Sequence, residues 1–157
     1  MSHHYTAVVE WRRQETEAFT DNRYSRGHAW SFDGGITVPA SSAPSSVRLP
    51  YSREDAVDPE EAYVAALSSC HMLTFLYLAA KAGLVVESYR DEASGRMVPN
   101  VTGRLWVDAV TLAPLIVFGG ERVPSDAEVE ALHHEAHEQC YLANSVKTEI
   151  IIASPGA

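Results

Sequence analysis

The chain has 157 residues, 46% hydrophobic and 21% charged, which suffices for one soluble domain with a real core and no disulfide support. Its formal net charge of -9 argues against nucleic acid or an anionic membrane surface as a partner. The opening residues, Met1 to Gln14, show neither the basic nor the apolar region of a signal peptide, so a cytoplasmic location is expected. In that reducing compartment a pair of cysteines is more often catalytic or metal-binding than structural.

Residues 6–12 read as a strand, as do residues 24–32. Phe32-Asp33-Gly34-Gly35 then supplies the positive φ of a tight hairpin. Residues 39–52, rich in Pro and Ser and without periodicity, read as a loop. Asp58-Pro59-Glu60-Glu61 opens a helix: an Asp N-cap, Pro at the first helical position and acids in the first turn. Gly83 is placed to close it.

From Ala62 to Ala80 this helix carries no formally charged side chain, and its length alone would cross a bilayer. Ser68, Ser69, Cys70, His71 and Thr74 interrupt the apolar run, and no basic cluster flanks it. The segment therefore predicts a helix buried on most sides within protein, with no membrane involved. Residues 84–97 and 101–118 read as strands broken near Ser94-Gly95 and at Pro114. Ser125 to Glu128 is a capping box opening a second helix, whose apolar stripe Val129, Leu132, Ala136 and Cys140 recurs at spacings of three and four. Residues 145–154 close the chain as a strand. Strands grouped around two helices give an α+β class, and no internal repeat divides residues 1–157 into more than one domain.

Cys70 and Cys140 each lie on or within an apolar helix surface, and they are the chain's two cysteines. A free cysteine behaves as a small hydrophobe, so two inert core residues and a reactive pair both fit the pattern.

Three segments resemble the OsmC/Ohr family of osmotically inducible and organic hydroperoxide resistance proteins. Asp58 to Met72 is similar to the family's Pro-Glu segment ending in its first cysteine, and Ala136 to Ile150 to its second cysteine segment. Tyr24 to Gly35 is similar to its N-terminal hairpin, which contributes an arginine. The resemblance covers nearly the whole chain in register. It implies an OsmC-like α+β fold, an intertwined homodimer with antiparallel sheets wrapped around central helices. It also implies a cofactor-free thiol peroxidase acting on small hydroperoxides and regenerated by a dithiol, of which a lipoyl group is one type. Carried over by motif, Cys70 is the attacking thiol, Cys140 the resolving one, Arg26 the hairpin arginine and Glu60 the Pro-Glu carboxylate. His71 and Tyr141 depart from the family pattern, which bears on substrate and reductant rather than on reaction type.

The residue types suit that chemistry. Burial alone keeps a thiol protonated, a desolvated arginine reverses the effect, and a carboxylate offsets the arginine's own buried charge. Ten residues of straight helix would nevertheless hold Glu60 about 15 Å from Cys70 along the axis. A bend after Glu60, a bridging Arg26 or contact across subunits would each close that gap. Arg23 is the second arginine candidate, expected on the opposite strand face from Arg26. His71 points about 100° away from Cys70 and is expected to be a packed or hydrogen-bonded core histidine. Two other functions compete: a stress or binding protein with little turnover, and a metal protein using His133 and His137, whose cluster a solvated polar face also explains.

Overall fold

The computed structural model describes residues 2–153, which form two compact units divided between Ala62 and Tyr63. In the first unit, β1 (Ala7–Glu10), β2 (His28–Phe32) and β3 (Thr37–Ala40) form an antiparallel sheet in that order. The β2–β3 hairpin closes through Gly35, whose φ of 80° only glycine adopts freely, and the Phe32 amide donates to the Ile36 carbonyl at 3.0 Å.

The expected strand at 24–32 starts later, at His28. Residues 11–27 are held as a loop instead. The Trp11 indole donates to the Ser25 carbonyl at 2.8 Å, and Phe19 stacks on Tyr24 with ring centroids 4.6 Å apart. Pro39 and Ala40, expected in the loop, belong to β3. A bridge from Ala40 to Val57 returns the chain to the start of the long helix.

That helix, α1, runs unbroken from Pro59 to Lys81. Asp58 caps it by accepting the Glu61 amide at 2.8 Å, while the Glu61 carboxylate accepts the Asp58 amide at 3.2 Å. At the far end Gly83 takes φ 74°, and the Leu84 amide returns to the Ala79 carbonyl at 3.0 Å. Both ends follow the local sequence chemistry.

In the second unit, β4 (Val85–Asp91) pairs antiparallel with β7 (Pro114–Gly119). A separate sheet has the order β5 (Ser94–Pro99), β6 (Leu105–Leu112), β8 (Glu149–Ile152). The β5–β6 pair is antiparallel, and β8 lies parallel to β6. Helix α2 (Asp126–Gln139) begins on the Ser125–Glu128 capping box, and a 3-10 turn at Ala143–Ser145 leads to β8. Ser154, at the end of the expected last strand, lies outside the described residues.

Three expectations need correction here. The break between β4 and β5 falls at Glu92-Ala93, not at Ser94-Gly95, because Gly95 sits inside β5 facing Val64 of α1. A Cβ at Gly95 would stand 2.7 Å from Val64 Cγ2, so the glycine lets the sheet approach the helix. Residues 101–104 form a turn around Gly103 rather than the start of a strand, organised by three bonds to the Asn100 carboxamide oxygen. Finally, α1 is not buried on most sides. Its Leu67, His71, Phe75, Leu78 and Ala79 face is buried, whereas Leu73 and Tyr77 are 61% and 62% exposed.

The buried face of α1 serves two cores. Phe75, Leu78 and Ala79 pack with Leu84, Leu132 and Ala136, bringing together α1, α2 and the β4–β7 sheet. Leu67 packs with Val110 and Leu112 of β6, bordered by Ile150 and Ile152 of β8. The middle of α1, where Cys70 and His71 lie, is thereby fixed between the two.

Candidate active site

Cys70 occupies the central turn of α1, where the buried Leu67 and His71 hold the helix against its neighbours. Ser68 adds a polar tether, since its hydroxyl donates to Asp91 Oδ2 at 2.5 Å. The other oxygen of Asp91 accepts the Ala113 amide at 2.7 Å, so one carboxylate ties α1 to the end of β4 and to the corner between β6 and β7. Neither Asp91 nor Ser68 belongs to a motif that would single it out as a site residue.

Cys140 caps the C-terminal end of α2 with an extended backbone and is 1% exposed. It completes the apolar stripe expected for this helix: Val129 is half-buried, and Leu132 and Ala136 are buried beside it. Because α2 packs on α1 through Leu132 and Ala136, its C-terminal end carries Cys140 to Cys70. The two sulfurs stand 2.8 Å apart, with the Cys140 thiol donating to Cys70 Sγ. Both thiols are free, and a sulfur shift of under about 1 Å would bring them to disulfide separation.

The surroundings distinguish the two sulfurs. Burial pushes the Cys140 thiol up, and its hydrogen bond to Cys70 adds to this, while the backbone amides of Ala143 and Leu142 oppose both. The Ala143 amide donates to Cys140 Sγ at 3.5 Å. Cys70 is half-buried. Cys140 is thus buried and held in protonated form beside a less buried Cys70.

His71 is a hydrogen-bonded core residue, as its place on α1 predicts. It is 2% exposed, and its Nε2 lies 3.0 Å from Nδ1 of His133 on α2. The rings are nearly coplanar in orientation, 9° apart with centroids 5.3 Å apart, and Phe75 covers His133 at 4.5 Å. Desolvation, reinforced by His133 and His137, pushes His71 down to about 4, and desolvation also lowers His133, against the opposing pull of Asp91. Both rings are neutral near pH 7.

This geometry corrects the view of the histidine cluster as a solvated face. His133 is buried and its Nδ1 engaged, whereas the neighbouring His134 is exposed beside Glu138. Among the described residues, no group of three or more His, Cys, Asp or Glu side chains is placed to hold a metal ion.

Arg26 and Arg23 precede β2, so the alternation of a strand does not govern their directions. The Arg26 guanidinium donates to the carbonyls of Asn22 at 2.8 Å and Tyr24 at 2.5 Å and lies 3.8 Å over the Tyr24 ring. Arg23 is largely exposed, 3.9 Å from Asp21. Glu60 is half-buried in the first turn of α1, and no ion pair joins it to Arg26 among the described residues. Since α1 is unbroken between Glu60 and Cys70, no bend of the helix brings that carboxylate to the sulfur.

The sequence and fold have clear relatives. A family model described as OsmC-like protein matches residues 52–154. The structure of an OsmC-like protein of unknown function from Vibrio cholerae is 52% identical, covers 98% of this chain and 99% of its own, and superposes with a TM-score of 0.94. An OsmC-like protein from Mycoplasma pneumoniae shares the fold at 13% identity, with coverage of 98% and 96% and a TM-score of 0.71. An organic hydroperoxide resistance protein from Elizabethkingia anophelis shares it at 16% identity, with coverage of 97% and 95% and a TM-score of 0.67. No curated protein matches the sequence. The matched segment contains both cysteines of the 2.8 Å pair, and the chain belongs to the OsmC/Ohr family.

Proposed function

We propose that the chain is a cysteine-based hydroperoxide reductase in which Cys70 attacks and Cys140 resolves. The observation that carries this reading is the sulfur pair at 2.8 Å, built by two helices from positions far apart in sequence. Two inert core cysteines would need neither a half-buried partner nor sulfurs this close.

In the first step the Cys70 thiolate attacks the distal oxygen of a hydroperoxide. The O–O bond breaks, the sulfur becomes a sulfenic acid, and the leaving alkoxide takes a proton to become an alcohol. Cys140 then attacks the Cys70 sulfur, an S–S bond forms, and the hydroxyl leaves with the thiol proton as water. An external dithiol returns both sulfurs to thiols and is itself oxidised to a disulfide. The amides near Cys140 offset part of the cost of its thiolate during resolution.

Arg26 and Glu60 complete the proposal as the cation that holds the Cys70 thiolate and the carboxylate that orients it. The resemblance in the hairpin and Pro-Glu segments supports their roles. The whole chain acts as one OsmC-like domain, in the cytoplasm, without cofactor or nucleic acid. The exposed apolar side of α1 at Leu73 and Tyr77 supports a homodimer in which a second copy covers it.

Consumption of cumene hydroperoxide, with dihydrolipoamide or a monothiol as reductant, tests the reading. Wild type consumes the peroxide and Cys70→Ser does not, while Cys140→Ser oxidises once and then stalls with a dithiol. Full turnover by Cys70→Ser would reject the assignment. Loss of activity on adding a chelator would favour the metal alternative.

A further inference from the structure

We propose that the His71–His133 hydrogen bond is a positioning clamp that holds the two helices so that Cys70 and Cys140 meet. This rests on the reading of the two cysteines as a redox pair. His71 directly follows Cys70 on α1, and His133 lies two helical turns before Cys140 on the same side of α2. The pair of helices is therefore joined at two places: ring nitrogen to ring nitrogen at 3.0 Å, and sulfur to sulfur at 2.8 Å. Beyond these the helices meet through apolar contacts such as Phe75, Leu132 and Ala136, which resist separation but give little direction.

The proton count shows why this bond is specific to neutral rings. One hydrogen lies between Nε2 of His71 and Nδ1 of His133, whichever ring donates it. His71 Nδ1 is buried with no partner. With His71 donating, its Nδ1 carries no hydrogen, and a proton added to that ring leaves an N–H there facing no acceptor. His137 acts on His71 and Asp91 on His133, and neither accepts from His71 Nδ1. The ring pair consequently stays neutral and places no cation beside the sulfurs. Its part is to orient, which distinguishes it from the arginine proposed to stabilise the thiolate.

A clamp present in the dithiol form raises the effective concentration of Cys140 at Cys70, because the sulfurs need not find each other after α1 and α2 drift. The equilibrium between the dithiol and its intramolecular disulfide measures that concentration when poised against glutathione at pH 7. It requires no peroxide, so it reads the clamp even if the protein reduces none. His71→Phe keeps the ring but removes the bond, and it should lower the equilibrium constant about tenfold. His71→Gln can place an amide where Nε2 stands and should lie within about twofold of wild type. His133→Leu removes the bond from the other helix and should match His71→Phe, which keeps the test decisive should His71→Phe fail to fold. An unchanged constant in the folded bond-free variants would overturn the proposal. So would a fall in His71→Gln as large as that in His71→Phe, since ring packing would then be the cause.

Discussion

Acidification from pH 7 to pH 5 acts on the same histidine pair and should cost stability in a calculable way. Burial holds His71 at about 4 in the folded chain, against an ordinary value of 6.5. Because the folded value is depressed, the unfolded chain binds the proton first. Stability is fully present above pH 6.5, declines as pH falls from 6.5 towards 4, and changes no further from this group below that. The full window corresponds to about 3 kcal/mol, and the part reached at pH 5 to about 2 kcal/mol. His133 is shifted in the same direction and adds to the loss. Urea unfolding at pH 7 and pH 5, at one fixed protein concentration, reads the effect. The carboxylates titrate in wild type and in a His71→Gln/His133→Asn variant alike, so the difference between the two proteins isolates the pair. Wild type should lose about 2 kcal/mol more than the variant on acidification. Equal losses, or a smaller loss in wild type, would refute the reasoning that burial rather than solvation sets the charge of this pair.

Gly95→Ala should destabilise the chain by about 1–3 kcal/mol, because the new methyl meets Val64 Cγ2 at 2.7 Å, and Val64→Ala in the same chain should recover part of that loss in thermal unfolding. Arg26→Ala in a Cys140→Ser background should slow alkylation of Cys70 at neutral pH, with Arg26→Lys little better and Arg23→Ala near wild type. The opposite order would assign the thiolate to Arg23. Leu73→Glu should leave the fold intact and dissociate a dimer in sedimentation, whereas a wild-type chain that sediments as a folded monomer at micromolar concentration would exclude the covered helix face.

Features governed by neighbouring residues were legible in the sequence. The Asp58 and Ser125 caps, the turn at Gly35 and the closure at Gly83 each depend on a few adjacent side chains or one backbone angle. The apolar stripe of α2 likewise foretold the burial of Cys140. Contacts between distant segments were less accessible. Nothing in residues 145–154 distinguishes a strand that pairs parallel to β6 from one that pairs antiparallel. The β4–β5 break shifted because Gly95 packs inside β5 against Val64, and the Asp91 carboxylate that ends β4 is taken up by partners more than twenty residues away. His133 looked like half of a surface pair because its helix spacing suits one, and its actual partner lies 62 residues earlier. The meeting of Cys70 with Cys140 was expected from resemblance, whereas helix packing explains how it is achieved.

The most direct test of the dithiol account is intact-mass analysis of the reduced protein after one equivalent of cumene hydroperoxide. Wild type should lose two hydrogens as the Cys70–Cys140 disulfide forms. Cys140→Ser should instead gain one oxygen on Cys70, trapped as a dimedone adduct, and Cys70→Ser should remain unmodified. Oxygen appearing on Cys140 in the Cys70→Ser protein at the wild-type rate, or no disulfide in wild type, would contradict the account.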